Sequence, residues 1–388
     1  QMRALETSDL RVIAVDSLSA FSSAQIGALD SGQLNALTSD QMQALSAVQL
    51  RGLSAALMTS LDSADLALLN GEQLGAFNTA QVRAIDAADF AGITSDAIIG
   101  FSNAQVSLLT TAQLGALSST ALQSLTDGQL RSLTTVQIAS LATDDLNALT
   151  ETQFQALTTA QIAAITTAQI SQLESNDLAA LTTLQVRAIS TNAIAAMDSA
   201  DIAALTATQL AALSSAQLRA IETADISAIG VDALAGFSGT QIGQLTTGQL
   251  GALGSNQFQA LNDAQLAGLS TAQIASLATN NLNALLDTQF ALLTTAQIAA
   301  ITTAQISQLE STDLVALSAV QVRAITTANI AAMDSADIGA LTVDQLAALT
   351  TAQVRAIDAA DMGAISVDAL AGWSSAQIAQ LSTGQLAA

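Results

Sequence analysis

The sequence is built from eight-residue units, and this strict period constrains the fold more than any other feature. From Glu6 to Leu381 the chain divides into 47 consecutive octads without an insertion or a deletion. Position one is mostly Ser, Thr, Asp, Asn or Glu, and position four is Gln in 28 octads and Asp in ten. Positions five and eight are apolar in all 47, and position seven is usually Ala. The fold must therefore be one small unit repeated along the chain.

A short helix that restarts in every octad explains this pattern better than a continuous helix or a strand. In a continuous helix, eight residues make about 2.2 turns, so the apolar stripe would rotate by about 80° with each octad. In a strand, spacings of three and five would place the apolar positions on opposite faces. A restarted helix has a mechanism, because Ser or Thr at position one and Gln at position four form a capping box. Asp at position four also suits the positive end of a helix.

The pattern predicts an all-α fold, an α-solenoid of two-turn helices in which positions five, seven and eight form a shared core. The apolar residue at position eight is placed to pack against position five of the next helix, as in a hydrophobic staple. Position six is predicted to face solvent, because it holds every Arg of the chain. These residues are Arg3, Arg11, Arg51, Arg83, Arg131, Arg187, Arg219, Arg323 and Arg355.

A longer period of 17 octads lies above the octad. The segment 158–175 recurs identically as 294–311, and residues 6–37 match 86–117 and 222–253, as if one copy had lost seven octads. We expect one continuous solenoid over residues 1–388, an excerpt of a longer array, with superrepeats at about 22–157, 158–293 and 294–388, the last one partial. If 17 and seven octads are whole superhelical turns, the solenoid is a narrow tube with three to four octads per turn.

Composition argues against several classes of function. Nine basic residues stand against 32 acidic ones, a formal net charge of −23, whereas binding to nucleic acid requires a basic face. No stretch approaches the roughly 18 uninterrupted apolar residues of a membrane-spanning helix. The chain has no His, Cys, Tyr, Lys or Pro, and so it has no imidazole base, thiolate or Schiff-base amine. We therefore expect that this protein is not an enzyme and that it has no catalytic, cofactor-binding or metal-binding residue. Carboxylates are ligands that Ca²⁺ prefers, but no calcium-binding motif accompanies them in this sequence.

Paired carboxylates are the first of three features that invite a functional interpretation. The pairs are Asp62–Asp65, Asp198–Asp201 and Asp334–Asp337. They could form an acid/base or cation site. Their spacing is also that of a helix cap and the third residue of its helix, where negative charge is favourable. We favour the capping interpretation.

Glycines and recurrent aromatic residues are the other two features. Gly248, Gly251 and Gly254 are not followed by the Lys of a phosphate-binding loop, and close packing is the preferred explanation for them. The aromatic residues that recur with the 17-octad period all occupy position eight, and we expect them to fill the core rather than to mark a binding surface. They are Phe101, Phe237 and Trp373.

Runs such as LTTAQIAAITTAQIS, residues 157–171, resemble the LTTAQ-type short helical repeats of very large bacterial secreted or surface proteins, which are often adhesin-like. The resemblance spans the whole chain and implies an extracellular structural role in a filament, sheath, surface layer or adhesin stalk. The expected partners are then copies of the chain itself, through head-to-tail and lateral contacts. The alternative is a solenoid scaffold that binds a peptide, a glycan or an ordered surface. The resemblance supplies no catalytic residue.

Overall fold

The computed structural model describes residues 2–388, which form two compact units that are described separately below. The first unit ends at Ala196, and the second is Met197–Ala388. Both units consist of one short helix per octad, four to six residues long where it is α-helical. No strand occurs in residues 2–388. The chain is an all-α solenoid, as the octad pattern predicts.

The first unit contains α-helices in nearly every octad and two 3₁₀ helices, Met2–Ala4 and Ala87–Gly92. Its α-helices are Thr7–Val12, Val15–Ser19, Ser23–Ile26, Ser31–Leu34, Ser39–Ala44, Ala47–Arg51, Ala55–Met58, Ser63–Leu68, Gly71–Ala76, Thr79–Ala84, Ser95–Ile98, Asn103–Leu108, Thr111–Leu114, Ser119–Gln123, Asp127–Ser132, Thr135–Ser140, Thr143–Asn147, Glu151–Ala156, Thr159–Ala163, Thr167–Ile170, Ser175–Ala180, Thr183–Ala188 and Thr191–Ile194.

The second unit follows the same plan, with 3₁₀ helices at Ile226–Ala228 and Ala359–Ala364. Its α-helices are Ser199–Ala204, Ala207–Ala212, Ser215–Ala220, Val231–Ala235, Gly239–Gln244, Thr247–Gly251, Ser255–Gln259, Asp263–Gly268, Thr271–Ser276, Thr279–Leu282, Asp287–Phe290, Thr295–Ala300, Thr303–Ile306, Ser311–Val315, Ala319–Val322, Thr327–Ile330, Ser335–Ala340, Val343–Ala348, Thr351–Ala356, Val367–Ala371, Ser375–Ile378 and Thr383–Ala387.

The predicted capping box starts most of these helices. At Thr158 the backbone is extended, with φ −74° and ψ 157°. Its Oγ1 accepts the backbone N–H of Gln161 at 3.3 Å, and its own N–H donates to Gln161 Oε1 at 2.8 Å. Because these bonds satisfy donors that an isolated helix leaves unpaired, a helix of little more than one turn has a defined start.

The joints between helices use ordinary backbone conformations. Ile85 at position eight has φ −67° and ψ 134°, and Asp86 at the next position one has φ −63° and ψ 140°. Two extended residues thus end one helix and start the next. No residue of the described chain has a positive φ, so the joint requires no glycine.

The core is formed by positions four, five and eight. Ile162 and Ile165 are 1% and 4% exposed, and Leu178 and Leu181 are likewise buried, as predicted. All nine Arg side chains are exposed, which confirms the assignment of position six. Position seven is only half-buried in most octads, so its predicted place in the core is wrong; position four is buried instead.

Octads stack on their third and fourth neighbours along the chain. In the first unit, Ala47–Arg51 packs against Gly71–Ala76, and in the second, Gly239–Gln244 packs against Asp263–Gly268. Both pairs are three octads apart. Hydrogen bonds from position four reach the octad four before, as described below. Within each unit one turn of the stack therefore takes between three and four octads, as predicted from the lengths of the longer repeats.

Candidate functional site

The three acidic pairs are helix caps. Asp65 N–H donates to Asp62 Oδ1 at 2.9 Å, and Asp62 N–H donates to Asp65 Oδ2 at 3.2 Å. The same reciprocal bonds join Asp198 to Asp201 and Asp334 to Asp337. The carboxylates therefore satisfy the backbone at helix starts, which is the capping interpretation.

The recurrent aromatic residues lie in the core. Phe101 and Phe237 are each 3% exposed and Trp373 is 6% exposed. Trp373 Nε1 donates to the carbonyl of Leu346 at 3.0 Å, so its one polar group is satisfied inside the stack. The prediction that they fill space is confirmed.

Close packing explains some glycines but not the three singled out from the sequence. No atom within 4 Å would meet a Cβ on Gly251, and on Gly248 or Gly254 it would meet only ordinary contacts. The interpretation of those three is therefore wrong. Close packing applies elsewhere: a Cβ on Gly27 would overlap the carbonyl of Gly52, three octads later. Gly27 and Gly52 lie where two backbones touch, which the octad pattern alone does not locate.

The most regular polar arrangement of the molecule is centred on position four. Gln161 is 2% exposed, and while its Oε1 accepts the cap N–H, its Nε2 donates to the carbonyls of Leu130 and Leu133 at 2.7 and 2.8 Å. Those carbonyls belong to positions five and eight of the octad four before. In the second unit, Gln305 Nε2 makes the same two bonds to Ile274 and Leu277, both at 2.8 Å. One buried side chain thus caps its own helix and also hydrogen-bonds it to the previous turn of the stack. We call this pair of hydrogen bonds to the previous turn the tie at position four.

The sequence carried a pattern that indicates this second role. A capping box accepts Glu as readily as Gln at its third residue, yet none of the 47 octads has Glu at position four. Only a side chain with both an acceptor and donors can satisfy a cap N–H and two carbonyls together. In octads with the longer side chain, the choice of Gln over Glu therefore indicates a donor as well as an acceptor, whereas an ionised Asp in the ten Asp octads lacks that donor.

Position six supplies a second tie, in the opposite direction along the chain. Arg51 Nε donates to the carbonyl of Ala76 at 3.1 Å, and Arg131 Nε donates to that of Ala156 at 3.0 Å. In the second unit, Arg219 donates through Nε to the carbonyl of Gln244 at 2.9 Å. Each acceptor is a position-seven residue three octads later. These arginines lie in solvent, as predicted, but they also join adjacent turns.

Where Asp occupies position four, its carboxyl group can be buried with one oxygen that has no hydrogen-bond partner. Asp177 in the first unit and Asp313 in the second are 5% and 2% exposed, and Oδ2 of each has no hydrogen-bond partner. Burial, followed by the nearby Glu310 and Asp287, raises the pKa of Asp313 to about 7. Burial, with Glu174 and Glu151, raises the pKa of Asp177 to about 7 as well.

Other position-four acids have a pKa raised in the same direction, chiefly by burial. They are Asp65, Asp145, Asp201 and Asp337. In residues 2–388 no three His, Cys, Asp or Glu side chains are arranged to hold a metal ion. Nor is any helix of this part of the chain long and apolar enough to cross a membrane.

A protein-family model described as the ALTTAQ repeat matches this sequence in many overlapping stretches that together cover most of the chain. The matched residues are 2–39, 82–119, 138–175, 170–207, 194–221, 218–255, 242–279, 306–343, 330–357 and 354–388. No curated protein matches the sequence.

Proposed function

Because this chain belongs to the ALTTAQ repeat family, we propose that it is a structural component of a bacterial extracellular filament, sheath, surface layer or adhesin stalk. Its copies join by the same octad stacking that holds each unit together. The observation that carries this proposal is the tie at position four. It joins a side-chain amide to backbone carbonyls, and a backbone carbonyl is present in every octad whatever its sequence.

The surfaces through which octads stack recur from octad to octad in both units. Position-five side chains are buried in this stacking, as at Ile162 and Ile306, each 1% exposed. A second copy placed head-to-tail would continue the same stacking through further position-five side chains. A heterologous contact of this kind generates a filament unless it closes into a ring.

Lateral contacts between filaments would be polar. All nine Arg lie exposed at position six, on a chain with 32 acidic residues. Arginine on one copy can therefore meet carboxylates on another, and salt would screen these contacts more than the apolar head-to-tail ones. The extracellular location in this proposal is supported by the resemblance to bacterial surface proteins.

The test is multi-angle light scattering and negative-stain electron microscopy of the full chain over a concentration series at low and high salt. We expect the wild type to form rods that lengthen with concentration. The variant Ile378→Asp/Leu386→Asp places charge on two position-five side chains, which stacking would bury, and should stay monomeric. The matched control Val320→Asp/Val367→Asp adds the same charges at exposed sites, 67% and 81% exposed, and should lengthen like the wild type.

A wild type that stays a monodisperse monomer at high concentration would contradict the assembly proposal. Equal loss of rods in both variants would show that net charge, and not head-to-tail stacking, controls association. High salt separates the two kinds of contact, since it should dissolve lateral bundles and leave single rods.

A further inference from the structure

Asp313 occupies a buried place that most octads fill with a hydrogen-bond donor. Gln305, in the preceding octad, donates to the position-eight carbonyl of Leu277, four octads before it. Asn329 shows that a side chain as short as Asp also reaches this carbonyl, because its Nδ2 donates to Ile301 O at 2.6 Å. The carbonyl at the same spacing from Asp313 is that of Leu285, and both residues line one surface groove.

An ionised Asp313 cannot make this bond, because a carboxylate only accepts hydrogen bonds. Its Oδ2 is buried without a partner. Oδ1 of Asn283 is likewise buried without a partner, and Asn283 lines the same groove. The ionised form therefore places a negative charge among oxygen acceptors, which is costly away from water.

The charged residues in the octad of Asp313 and in the octads three and four away are acidic; Arg323 lies in the next octad along the chain. They are Glu310 in its own octad, Asp287 three octads before, Asp334 and Asp337 three octads after, and Asp344 four octads after. The octad four before, residues 278–285, has no charged residue. No arginine of these octads offsets the negative charge, so the surroundings favour the neutral acid.

We propose that Asp313 is a proton-binding site that closes a contact between turns: the neutral acid donates its O–H to the carbonyl of Leu285, and loss of the proton opens the contact between residues 278–285 and 310–317. The groove of about 430 Å³ beside it gives water access to the proton. The ligand of this site is a proton, and its binding does not depend on the filament function proposed above.

The first unit carries the equivalent arrangement one 17-octad repeat earlier, at Asp177. The carbonyl at the same spacing from Asp177 is that of Leu149, and Asn147 Oδ1, like Asn283 Oδ1, is buried without a partner. The acids within the first unit on the octads packed against it are Glu174, Glu151, Asp144 and Asp145. Two independent occurrences, one in each unit, indicate a feature of the longer repeat rather than an isolated defect.

The direction of the pH effect follows from proton linkage. The folded-state pKa of about 7 lies above the ordinary value of 3.8, so between these values the folded chain holds protons that the unfolded chain has released. The contribution of Asp177 and Asp313 to stability is complete below about pH 4, falls as the pH rises towards 7 and stays at its lower level above it.

Difference potentiometric titration of the full chain tests the proposal. The wild type should bind about two more protons per chain than Asp177→Asn/Asp313→Asn between pH 8.5 and pH 5.5. The control Asp127→Asn/Asp263→Asn removes the same charges, one in each unit, from exposed position-two sites, and should titrate like the wild type in this range. Equal proton uptake by the wild type and Asp177→Asn/Asp313→Asn would overturn the proposal.

Hydrogen exchange provides a second readout, beginning with the wild type alone. After correction for intrinsic rates, amides of Ser311–Val315 should lose protection between pH 6 and pH 8 relative to those of Thr303–Ile306, where Gln305 makes the tie. Asp313→Gln should remove this difference. Protection that does not change with pH would contradict the proposal. Restoration of the protection of Ser311–Val315 at pH 8 by millimolar Ca²⁺ would also contradict it, because a metal ion and not a proton would then satisfy the carboxylate oxygens.

Discussion

The buried seam and the exposed rim of the stack join adjacent turns under different constraints. The seam consists of the position-four side chains and the position-five and position-eight carbonyls they reach; the rim consists of the position-six side chains and the position-seven carbonyls. Gln is the main donor of the seam and occupies position four in 28 of 47 octads. The rim uses Arg51, Gln123 or Asn147 for the same kind of bond. Where water is excluded, the partner must be supplied by the protein; at the rim, water can replace a missing donor.

The largest expected effect is a charge placed in the core beside the seam. Ile306→Asp should lower the free energy of unfolding of its region by about 4 kcal/mol or more, since an unpaired charge would be buried at a position 1% exposed. Ile162→Asp should do the same in the first unit. Urea denaturation followed by circular dichroism measures the loss. Val320→Asp, on an exposed side chain, should stay within about 0.5 kcal/mol of the wild type, and an equal loss there would contradict the distinction between buried and exposed positions.

The second prediction concerns the donor at position four. Gln305→Glu keeps the oxygen that accepts Thr302 N–H but loses the donors to Ile274 and Leu277. At pH 8 we expect a loss of about 3 kcal/mol, because two carbonyls lose a partner and a charge is buried.

The loss in Gln305→Glu should shrink at pH 5. A buried Glu has a raised pKa, and its neutral form again carries one donor. Denaturation at both pH values measures this change. Gln308→Glu makes the same charge change at an exposed position seven and should cost little at either pH; a pH-independent loss in Gln305→Glu would mean that the seam requires only an acceptor.

The third prediction separates the two kinds of glycine. Gly27→Ala should destabilise the first unit by about 1–3 kcal/mol, because the new methyl group meets the backbone of Gly52. Gly251→Ala should stabilise the second unit by about 0.5–1 kcal/mol, since its Cβ meets no atom and Ala favours a helix. Thermal unfolding midpoints measure both changes, and the same sign for the two would show that backbone contact does not distinguish them.

The smallest expected effect lies at the rim. Arg219→Ala removes the bonds to the carbonyl and Oε1 of Gln244, but water can take their place. We expect a loss of about 0.5 kcal/mol in urea denaturation. A loss as large as that of Gln305→Glu would remove the distinction between the seam and the rim.

Features that depend on one octad could be predicted from the sequence, whereas contacts between octads could not; the number of octads per turn, inferred from the longer repeat, is the exception. Helix starts, the burial of positions five and eight and the exposure of Arg all follow from local capping and periodicity. The carbonyl partners of Gln161 and the contact of Gly27 with Gly52 depend on how far apart successive turns lie. That spacing results from the packing of whole octads. The octad pattern does not reveal the buried acids at Asp177 and Asp313, because Asp at position four also fits a helix cap.

The tie at position four also bears on how such a chain changes length during evolution. Its acceptors are backbone carbonyls of the octad four before, which exist whatever residues that octad contains. Loss or duplication of whole octads therefore gives each glutamine in the four octads after the join a new carbonyl pair at the same spacing, and all other glutamines keep theirs. A change by only part of an octad would instead misalign every tie across the join. Unequal recombination in whole multiples of an octad's coding length is thus structurally tolerated, which agrees with 47 octads in unbroken phase.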